Sequence, residues 1–437
     1  MHNILEVIYW NKCSYEKKEK ILSRPIISNR FLIRNKVKEI ISNVKSFGDR
    51  ALYNYTNVFD NINLKNIRVS EEDIVSSHLH VSKELKLAVE VAFKNIKKFH
   101  SKQNVGSFNL KVQDNIYCQQ IIRPIESIGL YIPNGSAPLL STVLMLAIPA
   151  NIAGCKRIML CSPPPIMNEI LYACKICEIK DVFQIGGAQA IAALGCGTET
   201  IPKVNKIFGP GNAYVTEAKL QINQSSYDIG IDILAGPSEV LIIADSKANP
   251  EFIASDLLSQ SEHDINSQVM LVTYDINLGK SVLKKIREQI KNLSRYEIIM
   301  QSLKNSKIII SKDLLECFDI SNRYAPEHLM IQCENSQHFL KYVLNAGSIF
   351  LGRWSPVAGG DYATGTNHVL PTYGSSNVYS GLSLIDFQKR ITVQKLNKKG
   401  LQDISSTIIS LSKIEQLDAH RNSITIRLSS CLNEIKK

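Results

Sequence analysis

The sequence predicts an α/β protein built from two doubly wound, incomplete Rossmann-like domains with parallel-type sheets. Three observations predict it. Apolar strand-like segments recur about every 24 residues between Arg157 and Phe208, each followed by a helical segment. A second run of the same kind begins at Glu239. The strand-to-helix junctions carry Gly and Pro clusters, which turn a chain out of a sheet.

The first hundred residues read as helical. Leu32–Val44 and Ser82–His100 repeat apolar residues at three- and four-residue spacing, and Ser70-Glu71-Glu72-Asp73 has the residues of a helix start. A β-rich stretch opens at Ile116–Ile122 and continues through Ser127–Ile132. Then come strand Arg157–Cys161, helix Asn168–Ile176, strand Asp181–Ile185, helix Ala188–Leu194, strand Val204–Phe208 and helix Ala213–Ile222. The second run reads as strand Glu239–Ala244, helix Pro250–Ser261, strand Gln268–Tyr274, helix Leu278–Asn292 and strand Lys307–Ser311. Two such modules imply a cleft with ligands at strand carboxyl ends. A Gly-rich loop, Ala358–Thr366, and a polar, mostly helical tail from about Tyr379 to Lys437 complete the chain.

Composition excludes several classes. With 44% hydrophobic, 21% charged and 7% aromatic residues over 437 positions, the chain is neither disordered nor fibrous. The net charge of +11 raises nucleic-acid binding, but the lysines are dispersed among Asn and Ile with no aromatic interleaving, so no nucleic-acid partner is expected. The most apolar stretch, Pro138–Gly154, is interrupted by Ser141, Thr142, Pro149 and Asn151 and falls short of the ~20 residues a spanning helix needs, so no membrane partner is expected. No basic start or small-residue cleavage site marks a secretory signal, and the expected location is cytoplasmic. Ten scattered cysteines suit free buried thiols, and the lone Cys174/Cys177 pair reads as structural.

Four places carry candidate chemistry. Gln260 and His263, three apart at a helix end, share a face and suit either a metal or an exposed helix terminus. Tyr324-Ala325-Pro326-Glu327-His328 sets a carboxylate beside an imidazole, a proton relay or simply a helix start with Glu near its N-terminus. Gly359, Gly360 and Gly365 flank Asp361 and His368 in a loop that either approaches a ligand closely or turns tightly at the surface. Gly186-Gly187 and Gly209-Pro210-Gly211-Asn212 stand at strand-to-helix junctions where N–H groups can meet phosphate, although the G-x-G-x-x-G fingerprint is absent. Glu415 and His420 read alone as surface residues of a tail helix.

The segment Ile231-Asp232-Ile233-Leu234-Ala235-Gly236-Pro237-Ser238-Glu239, continued through Asp256-Leu257-Leu258-Ser259-Gln260-Ser261-Glu262-His263, closely resembles the signature of the histidinol dehydrogenase family. Arg123-Pro124-Ile125-Glu126, Gly129-Leu130-Tyr131-Ile132-Pro133, Ser141-Thr142-Val143-Leu144-Met145, Gly209-Pro210-Gly211-Asn212, Ala325-Pro326-Glu327-His328 and Gly381-Leu382-Ser383 resemble it too, in the same order. The likeness spans essentially the whole chain. It implies an NAD-dependent dehydrogenase that oxidises L-histidinol, a primary alcohol, to L-histidine through L-histidinaldehyde, the last step of histidine biosynthesis, with two NAD used in succession and one zinc ion per subunit. Matching positions imply zinc ligands Gln260, His263, Asp361 and His420. They imply NAD contacts from Tyr131, Gln189 and Asn212, and substrate contacts from Ser238, His328, His368 and Glu415 together with the zinc ligands. His328 is the implied base for the alcohol proton and Glu327 the implied activator of the water that hydrates the aldehyde. A homodimer is implied in which the tail crosses over, so Glu415 and His420 complete the partner's site.

The expected division is an N-terminal arm (1–27), a discontinuous α/β domain with the catalytic and metal residues (28–128 and 238–380), an NAD-contacting α/β domain (129–237) and the exchanged tail (381–437). Leu234 and Asn134 depart from the family pattern and put only local loop geometry in question. A dehydrogenase of the same fold for another substrate would be expected to alter the implied ligand set, and a non-catalytic relative to lose Glu327 or His328. All of these residues are present.

Overall fold

A computed structural model describes residues 5–25, 29–133, 138–225, 228–233 and 236–434. Asn134 and Leu234 lie outside the described residues. By contacts the chain forms two compact units, Met1–Gln103 with Ile125–Phe387, and Asn104–Pro124 with Gln388–Lys437.

The larger unit contains two all-parallel sheets. The first has five strands in the order Asp181–Phe183, Arg157–Cys161, Ser127–Tyr131, Lys206–Phe208, Gly230–Ile231. Numbered along the chain, that is 3-2-1-4-5, a dinucleotide-fold order lacking its sixth strand. The second sheet places Lys307–Ile310, Gln268–Thr273, Glu239–Ala244, His328–Gln332 and Ser348–Leu351 in the same 3-2-1-4-5 order, and Glu6–Tyr9 from the N-terminal arm extends its far edge. The doubly wound reading therefore holds for both modules.

The near-continuous apolar strands follow from burial on both faces. In Glu239–Ala244 the side chains of Val240, Ile242 and Ala244 join the core that includes Leu257, Leu258 and Val357, while Leu241 and Ile243 enter the core around Phe318 and Tyr324. Each of the Val, Leu and Ile side chains contributes about 1.5–3 kcal/mol on burial. Helix Pro250–Ser261 begins where Asn249 caps the Glu251 N–H at 2.8 Å and Pro250 fills the first turn, which has no use for its missing donor.

The smaller unit differs from expectation. A strand, Gln388–Leu396, interrupts the tail before helices Lys398–Ile414 and Asp418–Glu434, and it pairs antiparallel with Ile116–Pro124, which also pairs with Phe108–Gln113. Phe108–Gln113 and Gln388–Leu396 are largely exposed on both faces, and the sequence reading passed over them although Phe108, Leu110 and Val112 alternate with polar residues. The β-rich stretch at 116–124 is thus hydrogen-bonded to the tail. Among the described residues no helix is long and apolar enough to cross a membrane. Cys174 and Cys177 are buried free thiols, and burial pushes Cys177 up to about 12, in keeping with a structural pair.

Candidate active site

The buried Glu327–His328 pair stands where helix Leu314–Tyr324 gives way to strand His328–Gln332. Ala325 closes the helix in the left-handed region (φ 50°) and Pro326 prevents its continuation. Proline here ends a helix and leads into a strand, so the helix-start reading of Glu327 is corrected. Both side chains are held by the main chain of Glu239 in the neighbouring strand. The Glu239 N–H donates to Glu327 Oε2 at 2.7 Å, and its carbonyl lies 3.0 Å from His328 Nδ1. Glu327 Oε2 is also 3.4 Å from Nδ1. The opposite ring nitrogen, Nε2, is buried with no hydrogen-bond partner among the described residues, 3.8 Å from Asp361 Oδ1. Burial alone would lower the imidazole pKa, but the charge and contact of Glu327, the Asp361 charge and the Glu239 carbonyl outweigh it and raise His328 to about 9.

Asp361 comes from the Gly-rich segment, which contains a short helix, Val357–Tyr362. Its glycines serve packing more than ligand approach. A Cβ on Gly360 would lie 2.7 Å from the Phe350 ring, and one on Gly365 (φ 105°) 2.6 Å from the Asn95 carbonyl. His368 follows, half-buried, with Nδ1 2.9 Å from the Asp361 carbonyl and Nε2 3.3 Å from the Thr142 hydroxyl. Burial lowers His368 against the pull of Asp361. Tyr362 is raised by burial, then by the charges of Asp361 and Glu262.

Gln260 is buried and its Oε1 has no hydrogen-bond partner among the described residues. An unpaired buried carbonyl costs about 1–3 kcal/mol, so this oxygen suits a cation. The helix ends at Ser261, and exposed His263 lies beyond it, its N–H 3.5 Å from the Gln260 carbonyl. The shared-face argument for Gln260 and His263 therefore meets a helix that stops short of His263. Ser238 is half-buried immediately before Glu239. Among the described residues no three or more His, Cys, Asp or Glu side chains gather as a metal centre. The expected set includes a glutamine and a tail residue, so only His263 and Asp361 of those types would come from the larger unit. In the smaller unit, Glu415 caps the end of helix Lys398–Ile414, His420 sits in helix Asp418–Glu434, and both are exposed.

The five-stranded sheet has its own polar cluster, at its carboxyl edge. Tyr131 ends strand Ser127–Tyr131, and its buried phenol accepts the Gly187 N–H at 3.0 Å at the start of helix Gly187–Cys196. Burial raises that phenol to about 12. Gln189 is buried in the first turn of the same helix. Asn212 Oδ1 accepts the Tyr214 and Val215 N–H groups at 3.0 and 3.1 Å, which opens helix Ala213–Ser225. Gly209 (φ 121°) lies so close that a Cβ would overlap the Tyr131 carbonyl oxygen. A buried ion pair, Lys219–Asp232, grips this turn: Asp232 accepts the Gly209 N–H at 2.6 Å and Lys219 donates to the Gly209 carbonyl at 2.9 Å. Two helix N-termini beside the point where strand order reverses suit a dinucleotide phosphate.

Sequence reasoning missed the supporting residues. Glu239 and Asp232 lay inside the quoted signature without a role, and Thr142 inside a quoted motif. Arg24 and Lys219 carried no local signal.

The comparisons with known proteins agree on one family. A family model described as histidinol dehydrogenase matches residues 24–428. The histidinol dehydrogenase of Buchnera aphidicola subsp. Baizongia pistaciae (strain Bp) is 61% identical over 436 residues, covering 100% of both chains. That of Escherichia coli (strain K12) is 52% identical over 424 residues, covering 97% of this chain and 98% of its own. The crystal structure of histidinol dehydrogenase from Elizabethkingia anophelis superposes with a TM-score of 0.95 at 44% identity, covering 99% of each chain.

Proposed function

The chain belongs to the histidinol dehydrogenase family, and from that membership we propose that it oxidises L-histidinol to L-histidine through L-histidinaldehyde, using NAD twice and one zinc ion per subunit. The observation that carries the reading is the buried Glu327–His328 pair, with a bare Nε2 beside Asp361.

His328 is the base. Its Nδ1 faces the Glu239 carbonyl, so a neutral ring keeps its proton there and offers Nε2 to the alcohol. Glu327 Oε2 is engaged by the Glu239 N–H, which leaves Oε1 to take a proton from the water that hydrates the aldehyde. Gln260, His263 and Asp361 of one subunit would hold zinc, with His420 from the tail of a second subunit. Zinc, when bound, supplies a fixed point for the imidazole and amine of histidinol and offsets the Asp361 charge beside His328. Ser238 and His368, and Glu415 from the second subunit, would contact the substrate. Tyr131, Gln189 and Asn212 line the proposed NAD site at the carboxyl edge of the five-stranded sheet. NAD, when bound, accepts the hydride of each oxidation.

The test is direct. Purified, zinc-loaded protein should form two NADH per L-histidinol consumed, with histidine as the product. No NADH from zinc-loaded protein would overturn the proposal.

A further inference from the structure

The geometry points to Arg24, in the N-terminal arm, as a positioning residue for catalysis: it locks Glu239 and the 324–325 backbone, and through them sets the orientation of Glu327 and His328. This inference rests on the function proposed above.

One residue, Glu239, holds both catalytic side chains, and it does so with its backbone. Its N–H fixes Glu327 and its carbonyl fixes the His328 ring. The Glu239 side chain is in turn held from two sides. Tyr373 N–H donates to Oε1 at 2.9 Å, and the Arg24 fork donates from Nε to Oε1 and from Nη2 to Oε2, both at 3.0 Å. The Arg24 and Glu239 side chains are 13% and 2% exposed, so Glu239 has no water to fall back on and Arg24 has little.

Arg24 also reaches the segment that carries the pair. Its Nη2 donates to the Tyr324 carbonyl at 2.5 Å and lies 3.3 Å from the Ala325 carbonyl, oxygens that the end of helix Leu314–Tyr324 leaves without helical partners. Its guanidinium stacks 3.7 Å from the Tyr324 ring centroid. One cation therefore ties the start of strand Glu239–Ala244 to the turn before His328. A planar fork is needed, since a lysine ammonium can neither pair both carboxylate oxygens in plane nor stack on the ring.

The experiment uses full-length, zinc-loaded Arg24→Gln and Arg24→Lys, with Arg24→Met/Glu239→Gln as the variant that leaves no unpaired buried charge. Zinc content, thermal midpoint, kcat and both KM values are measured, and crystal structures are determined. Arg24→Gln should lose about 10²-fold in kcat per zinc-loaded folded molecule, the size expected of a displacement near 1 Å. Both KM values should stay within about threefold, because zinc and nucleotide contacts are untouched. Arg24→Lys should recover only part of the loss. The double variant should be no worse than Arg24→Gln, because the two residues act as a unit.

An unchanged kcat in Arg24→Gln overturns the inference, as does a crystal structure of either variant with Glu327 and His328 in their original positions. If Arg24→Gln fails to fold, the double variant decides on the same criteria. The two ideas fail separately: a wild-type protein that makes no NADH removes the proposed function, whereas an active wild type matched by an equally active variant removes only the role of Arg24.

Discussion

The chain contains the same 3-2-1-4-5 strand order twice, and its two polar clusters occupy opposite edges of those sheets. In the five-stranded sheet Tyr131 ends its strand and Gly187 and Gly209 follow the carboxyl ends of two others, where helix N-termini converge. In the six-stranded sheet Glu239 and His328 are the first residues of their strands, and Gln260 sits in the last turn of its helix. Both clusters lie where the strand order reverses, yet the second is at the amino edge, against the expectation of strand carboxyl ends. The difference is electrostatic. Helix N-termini present N–H donors and partial positive charge, which suit phosphate, while helix C-termini present carbonyls and partial negative charge, which suit a cation. The first edge can work mostly with backbone and glycine. The second needs charged side chains, and so needs the buried counter-charge of Arg24.

The largest effect should come from removing the proposed base at the amino edge. His328→Gln should lower kcat by about 10²–10⁴-fold. The KM for NAD should stay within about threefold, because the proposed nucleotide site belongs to the other sheet. Steady-state kinetics with NAD varied would decide it, and a parallel rise in the NAD KM would break the assignment of separate tasks to the two edges.

Next is whether the amino-edge site needs a second chain while the carboxyl edge is complete in one. In the proposed homodimer, Glu327→Gln and His420→Asn proteins should each be nearly inactive, with His420→Asn also losing zinc. Subunit exchange should restore about a quarter of wild-type activity, since half of the dimers are hybrids with one intact site. Proven exchange with no rescue, or full zinc in His420→Asn, would remove the tail from the site.

The carboxyl edge has its own probe. Gly209→Ala places a Cβ onto the Tyr131 carbonyl at φ 121°, and strain of about 1–3 kcal/mol should raise the NAD KM by about tenfold or more. Zinc content should be unaffected. A zinc loss in this variant, read by metal analysis, would show that the two edges are coupled.

What was legible in the sequence tracks burial. Strands such as Glu239–Ala244, apolar on both faces, announce themselves, whereas Phe108–Gln113 and Gln388–Leu396 have no buried face, and the short alternation of Phe108, Leu110 and Val112 with polar residues was passed over. Adjacency singled out Glu327 and His328, but by themselves the residues favoured a helix start after Pro326, and only the left-handed Ala325 and the strand ladder resolve it. Arg24 was invisible because its partner is 215 residues away. Pairing across such a distance is a property of the folded sheet and leaves no periodicity behind.

The smallest predicted effect concerns another buried charge near the amino edge. Asp256 lies four residues before Gln260 on the same helix face, and burial raises its carboxyl from 3.8 to about 7. Between those values the folded chain keeps a proton that the unfolded chain has released, so this residue makes stability fall as pH rises through the window and level off above it. Asp256→Asn removes that dependence. In zinc-free protein the variant should exceed the parent in stability, and the gap should widen by about 2 kcal/mol between pH 5 and pH 8. Urea unfolding of both proteins in chelator at the two pH values measures it. A gap that stays constant would mean that Asp256 finds a cation or water in the fold, and that the amino edge tolerates a bare carboxylate without the kind of partner Arg24 gives Glu239.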